Sequence, residues 1–426
     1  MPDQPAPTPD PVQTSTLRKL WGQLSQSWPV RFATQFVILP LIGVLVSGIV
    51  IGRLADGFFG PKNYVVVVVG DESDPAARRM LAAAARPLSL EIDGVQVKTE
   101  TRSDLADPDK AYTLAQELAL RPDVLMVVGH GSSSVSMRVL PIYMQADPPV
   151  PVILTTDTNP GLLPPLALDD DRIRPVFRLF PTDDNQAEVG ARFVASRRAS
   201  SVWIIEDAGN PTYSHYLARA FLNVLYEKYG SINVVLWSSN SSLPPYAFDR
   251  LGFDWVFFAG DWRNALILLR QLQAIPGKKK PSVLLSDGAV DGRLKFFGGE
   301  NLEGVYLLHP LSADQFSRNG NTVVGEEAHS LVSSLIDAVD RDFGRLATES
   351  APTGYRLRKW LGLRRVSDAR RAMSRYMARA VNNGLALGSA DGTITMEKDT
   401  KTRSVVRKNA SFHVWRVEQG RFIEVE

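Results

Sequence analysis

The chain has 426 residues, 44% hydrophobic and 22% charged, with a net charge of +2 and no cysteine. That length exceeds one domain by the usual size range. The charge makes no case for nucleic acid, and the missing thiols exclude a disulfide framework, a Cys-ligated metal, a thiol nucleophile and a lipid-modified N-terminal cysteine.

Residues 1 to about 16 are rich in Pro, Asp, Gln, Ser and Thr and have little to bury, the composition of a disordered tail. Arg18, Lys19 and Arg31 precede an uncharged run, FVILPLIGVLVSGIVIG, from Phe36 to Gly52. Its length approaches the ~20 residues of a bilayer-spanning helix. A cleaved signal peptide is the rival reading, but its apolar region usually spans only ~7–15 residues before a small-residue cleavage site. We therefore expect a cytoplasmic tail over 1–35 and an uncleaved signal anchor over 36–53, with the remainder exported, because the cations lie before the helix. Gly48 and Gly52 form a GxxxG pair of the kind that lets two such helices approach, which raises a homodimer.

The folded part opens with YVVVVVG, Tyr64–Gly70, a β-branched run typical of a parallel strand buried on both faces. A helix over Ala76–Ala85, an alternating strand through Val95, Val97 and Thr99, and a helix started by Asp107-Pro108 follow. The central stretch is Val124 to Asn159. Its two apolar runs, Val124–Val128 and Pro151–Leu154, each end in small hydroxyl residues: Ser132, Ser133 and Ser134, then Thr155, Thr156 and Thr158. In an open parallel sheet, ligands sit outside the carboxyl ends of strands, so these loops are expected to form half of a small-molecule cleft.

The α/β alternation starts again after Arg178–Thr182. A helix is expected over Gln186–Arg197, then strands and helices to Gly304–Leu308. Two successive α/β units imply two lobes with a cleft between them. After His309-Pro310 comes a long helix, Glu326–Phe343. A cationic stretch, Tyr355–Arg379, then reads as a solvated helix face plus a loop insertion, with anionic lipid as the other use for it. Strands at Thr393–Met396, Phe412–Val417 and Arg421–Val425 close the chain.

Several stretches carry a family resemblance: DPDKAYTLAQELALRPDVLMVVGHGSSS, VPVILTTDTNP, PVFRLFPTDDNQAEVGARFVASRRASSVWIIED, and the ending DGTITMEKDTKTRSVVRKNASFHVWRVEQGRFIEV. As an ordered set they resemble the type I periplasmic-binding-protein family, closest to the leucine/isoleucine/valine (branched-chain amino-acid) ABC transporter substrate-binding proteins. The resemblance covers roughly 64 to 426, and is poorer over about 311–370. It implies an α/β fold of two Rossmann-like lobes joined by three crossover segments. These would fall near Arg178, His309 and Gly392, giving lobe one as 64–178 plus 310–391 and lobe two as 179–309 plus 392–426.

The resemblance also implies roles. Ser133 matches a serine that holds the ligand carboxylate, Thr158 a threonine on the same group, and Thr156 a neighbouring backbone contact. Tyr213 matches a lobe-two aromatic that closes over the ligand, Asp287 an acidic residue that pairs with its amino group, and Trp262 lies near another lobe-two aromatic. Each has a plainer alternative: helix capping for Ser133 and Thr158, a core aromatic for Tyr213, a turn for Asp287, packing for Trp262. Two departures stand out. GDESDP enters a helix sooner than the family's first loop does, and Asp157 sets a carboxylate beside Thr158. If Asp157 faced the cleft it would repel an anionic group.

An enzyme is not expected. Gly129-His130-Gly131-Ser132 looks superficially like a hydrolase oxyanion loop, but no G-x-S-x-G elbow follows. His215, His309, His329 and His413 lack metal-ligand spacing, and no P-loop or dinucleotide fingerprint follows Tyr64–Val69, so neither metal nor cofactor is expected. The expected partners are a small-molecule ligand, an ABC permease or a regulatory membrane protein, and the membrane through the N-terminal helix.

Overall fold

The computed structural model describes residues 60–163, 174–239, 252–275, 280–317, 320–350, 355–356, 365–382, 386–389, 392–399, 404–408 and 410–425. The expected tail and anchor lie outside them. Among the described residues no helix is long and apolar enough to cross a membrane.

The first sheet is built on the valine run. Strand β1 (Asn63–Gly70) pairs in parallel with β3 (Val95–Ser103) on one side and β4 (Val124–Val128) on the other. Beyond β4 lie β5 (Val152–Leu154) and β6 (Val176–Arg178), also parallel, and β2 (Leu90–Ile92) closes the far edge antiparallel to β3. Both faces of β1 are covered, as a continuous β-branched run requires. Val66 and Val68 pack with Leu81 of α1 (Pro75–Ala84), Leu331 and Leu335 of the long α9 (Gly320–Ser350) and Met373 of α10 (Val366–Asn382). Val67 and Val69 pack with Ala111 and Leu118 of α2 (Pro108–Leu120) and Val139 of α3 (Ser133–Gln145). Each such side chain contributes about 1.5–3 kcal/mol when fully buried.

The second sheet has the order β16-β15-β11-β10-β9-β7-β8. Strands β7 (Ser201–Asp207), β8 (Asn233–Ser239), β9 (Trp255–Ala259), β10 (Ser282–Leu285) and β11 (Tyr306–His309) are parallel. The closing hairpin β15 (His413–Glu418) and β16 (Arg421–Glu424) is antiparallel. One face packs on α4 (Asp183–Ser196) and α5 (Pro211–Lys228), the other on α6 (Trp262–Gln273) and α7 (Gly292–Gly298).

The chain crosses between sheets after β6 and after β11, close to the expected points, the second time through the short α8 (Ala313–Ser317) into α9. The third crossing corrects the expectation. Strands β12 (Ala386–Ser389), β13 (Gly392–Lys398) and β14 (Val405–Arg407) extend the first sheet, β14 pairing in parallel with β6 through Val405↔Phe177. The chain therefore changes lobes after Arg407, not near Gly392. Met396 and Val405 decide this, because both sink into the core under β6 and α10; strand alternation alone does not tell a strand which sheet to join.

The basic stretch also needs a correction, since it is not wholly solvated. Arg370 is buried, its Nε donating to Val124 O at 2.8 Å and its Nη atoms to Ala119 O and Arg121 O at 3.4 Å each. Desolvation lowers its pKa to about 10. Arg371 lies 3.6 Å from Asp147, and Arg375 and Arg379 both pair with Glu349. This is a fastening of α10 onto the ends of α2 and β4, with its surface charges already engaged.

Candidate functional site

The loops that leave the carboxyl ends of β4, β5, β6, β7, β10 and β11 converge on one cavity of about 310 Å³. Such a volume sits at the small end of ligand sites. Ser133, Thr156, Thr158, Tyr213 and Asp287 all line it. Trp262 does not: its indole stacks on Phe297 at 6.2 Å and carries the guanidinium groups of Arg263 and Arg293 at 4.8 and 4.9 Å.

The first-lobe wall is set by backbone. Gly129 has φ +123°, and a Cβ there would lie 2.0 Å from Val69 O, so only glycine lets this loop lie against β1. Buried His130 fixes the next peptide, with Nδ1 2.8 Å from Asp104 Oδ2 and Nε2 3.1 Å from Tyr143 Oη. Thr156 Oγ1 donates to Gly131 O at 3.1 Å, tying the β4 and β5 loops together. Ser132, not Ser133, occupies the N-cap of α3, and its side chain makes no capping bond; its Oγ lies 3.0 Å from Ser134 Oγ instead. Ser133 is the first helical residue, at a helix N-terminus that favours negative charge. Asn159 caps the next turn by accepting from Gly161 N at 2.7 Å, and donates across to Thr212 O of the second lobe at 2.7 Å.

Asp157 does not face the cavity. It is 1% exposed and is absent from the lining. Among the described residues neither of its carboxylate oxygens has a hydrogen-bond partner, though the Ser136 hydroxyl lies close enough to favour the charged form. Desolvation raises its pKa, opposed by Ser136, Arg178 and His130. Arg178, also buried, donates to Asp157 O at 2.7 Å. The anionic repulsion considered from the sequence therefore does not arise at the cavity wall.

The second-lobe wall is acidic. Tyr213 Oη and Gln186 Nε2, the latter at 2.7 Å, both donate to Asp287 Oδ1. No described side chain donates to Oδ2. Gly288 N–H donates to Tyr213 Oη at 3.1 Å, and a Cβ at residue 288 would meet the Tyr213 ring at 2.8 Å, so the Asp-Gly pair closes on the phenol without room to spare. Burial raises the Asp287 pKa against the opposing hydrogen bonds of Tyr213, Gln186 and the Gly288 and Asp287 backbone, and burial followed by Asp287 and Asp183 raises that of Tyr213. Asp183, wholly buried behind Asp287, is raised well above its usual range by desolvation and then by Asp287. The second acidic lining residue, Asp291, caps α7 and binds Arg293 through both oxygens at 2.8 and 2.7 Å. Arg293 Nη2 then reaches the first lobe, 2.6 Å from Asp74 Oδ2, the N-cap of α1. Among the described residues no lysine or arginine lines the cavity.

The remaining wall is apolar: Phe180, Leu311, Phe316 and Val324, with His309 among them. Sequence reasoning missed these residues, together with Asp291 and Arg293. The available signal was the pair of breaks at Arg178–Thr182 and His309-Pro310. Both are crossings, and a crossing between two lobes necessarily borders the space between them.

A sequence profile described as periplasmic binding protein matches residues 69–339, more than half of the chain. The chain belongs to the periplasmic-binding-protein family. That is a family of binding proteins rather than of enzymes. This periplasmic-binding protein is 28% identical over 207 residues to an amino acid binding protein of Pseudomonas aeruginosa, a match covering 45% of the chain and 51% of the relative. It thus spans about half the length of the curated relative it matches. In fold it is similar to the leucine binding protein LivK of Thermotoga maritima, with a TM-score of 0.63 and 19% identity over 85% of this chain and 98% of the other. It is also similar to LivJ of Streptococcus pneumoniae, solved with isoleucine, with a TM-score of 0.61 and 14% identity over 85% and 100%. An extracellular ligand-binding receptor of Rhodopseudomonas palustris gives 0.64 and 17% over 86% and 100%.

Proposed function

We propose that this protein is an extracytoplasmic solute receptor, tethered by its apolar Phe36–Gly52 segment, that closes two lobes over an amino acid or amino-acid-like amide for an ABC permease. The observation that carries the reading is the polarity of the cavity. One wall offers the hydroxyls of Ser133 and Thr158 beside a helix N-terminus; the other offers the Asp287 carboxylate, and among the described residues no lysine or arginine lines the space between. Neutral donors hold a carboxylate without a countercharge, and a desolvated carboxylate pairs with an ammonium. Thr156 acts indirectly by fixing the Gly131 carbonyl, and Tyr213 orients Asp287. Trp262 supports the lobe-two rim.

The test is calorimetry of the full chain in detergent against the amino acids, polyamines, amides and purines. Saturable binding of an amino acid is expected, with domain closure on binding. Absence of binding in every class would end the receptor reading. Transport and tethered sensing share this cavity and differ in the partner; uptake restored by a permease in reconstituted vesicles supports the first.

A further inference from the structure

The apolar wall contains a polar atom that no described residue binds. His309 ends β11 and lines the cavity while only 8% exposed. Leu311 N–H donates to its Nδ1 at 3.1 Å. Burial pushes its pKa down to about 3, so the ring is neutral. A neutral ring that accepts at Nδ1 carries its proton on Nε2. Among the described residues nothing accepts that proton.

The ring is held firmly. It lies 4.7 Å from Trp415, and meets Phe316 edge-on at 5.1 Å and Phe180 at 6.4 Å. These are the separations and tilts that aromatic pairs favour. Packing alone would be served as well by phenylalanine, without an N–H on the cavity wall that no described residue accepts from.

We propose that His309 is a specificity-determining residue, and that the ligand is an amino acid whose side chain is an aromatic ring bearing a hydrogen-bond acceptor, which takes the Nε2 proton of His309 while the ring lies against Phe180 and Phe316. This deepens the amino-acid reading and rests on it. The zwitterionic head occupies the polar end between Ser133 and Asp287, and the side chain extends toward the apolar wall.

The experiment is calorimetry of the full chain with L-tyrosine, L-phenylalanine and L-leucine. Tyrosine is expected to bind about 3–10-fold more tightly than phenylalanine, the worth of one neutral hydrogen bond, and both more tightly than leucine. His309→Phe should bring the tyrosine-to-phenylalanine ratio to about one while phenylalanine still binds. His309→Gln, which keeps a donor and an acceptor and guards against misfolding of the first variant, should retain the preference for tyrosine. Tighter binding of leucine than of tyrosine would overturn this inference and leave the receptor reading standing, as would a ratio unmoved in His309→Phe. Binding of no amino acid would overturn both.

Discussion

The two lobes face the same cavity with opposite chemistry, reached by opposite means. The first lobe presents backbone and hydroxyl groups, held by a glycine that admits no side chain and by His130, Asp104 and Tyr143 bonded beneath the loop. The second presents carboxylates, with Asp287 held by Tyr213 and Gln186. The first wall can bind an anion only weakly group by group, but it is rigid; the second concentrates its attraction in one charge. For the zwitterionic ligand proposed above, one orientation is complementary to both walls, and the larger share of its affinity should come from the second lobe.

Asp287→Asn tests that inequality most severely. The carboxamide keeps shape and one acceptor, but removes the charge facing the ligand ammonium. Loss of one partner of a buried charge pair costs about 2–5 kcal/mol, so calorimetry should show at least about 30-fold weaker amino-acid binding. Ser133→Ala should cost less, since one neutral donor among several is lost. Equal losses would break the comparison. The wild type carries a pH signature as well. Burial raises the Asp287 pKa, and an ammonium ligand needs the ionised form, so affinity should fall as pH drops through that raised value. Asp287→Asn should flatten the profile over the same range.

How much of this was legible in the sequence divides along the same line. The first-lobe wall was readable, because β1 and β4 are continuous apolar runs and the small hydroxyl residues follow them directly. On the second lobe, Tyr213 and Asp287 came only through family resemblance; nothing local in an Asp-Gly turn says that Tyr213, 74 residues away, donates to it. Asp74 and Arg293 are further apart still, and each is locally an ordinary cap residue or its neighbour. The stretch from Gly392 to Arg407, expected in lobe two, joins the first sheet for the same reason: Met396 and Val405 satisfy strand alternation in either sheet, and only the space under β6 chooses. Local propensity specifies an element, whereas its partner is a property of the assembled core.

The first lobe also buries a charge problem, which sharpens the contrast. Among the described residues nothing donates a hydrogen bond to the Asp157 carboxylate, and its pKa is raised. A carboxyl whose pKa is higher folded than unfolded binds more protons in the native state. Its contribution to stability is therefore present below the unfolded value near 3.8 and is lost as pH rises through the folded one. At neutral pH the acid works against the fold, so Asp157→Asn should raise the melting temperature by roughly 2–4 °C, the equivalent of about 1 kcal/mol in a large domain. The gain should shrink in acid. A fall in melting temperature at pH 7 would mean that Asp157 is stabilised by Arg178 more than burial penalises it.

The smallest effect concerns the link between the lobes rather than either wall. Arg293 joins Asp291 at the cavity to Asp74 on the first lobe at 2.6 Å, with its flank against Trp262. Asp291 and Arg293 belong to the same lobe, so of the bonds Arg293 makes to these two carboxylates only the one to Asp74 resists opening. Both side chains are about a quarter to a third exposed, at 24% and 32%, and pairs of that kind are worth about 0.2–1 kcal/mol. Asp74→Asn preserves the cap on α1, because asparagine caps as well as aspartate, and removes only the interlobe charge. Stopped-flow dissociation of a bound amino acid should therefore quicken by up to about fivefold at low salt. Raising salt toward 1 M, where the screening length falls to about 3 Å, should bring wild type and variant together. Arg293→Ala should add little to Asp74→Asn, since both break one bond. If instead Arg293→Ala acts alone and Asp74→Asn does nothing, the arginine serves the acidic wall by holding Asp291, and the lobes are kept together by the ligand and by Asn159 without an ionic clasp.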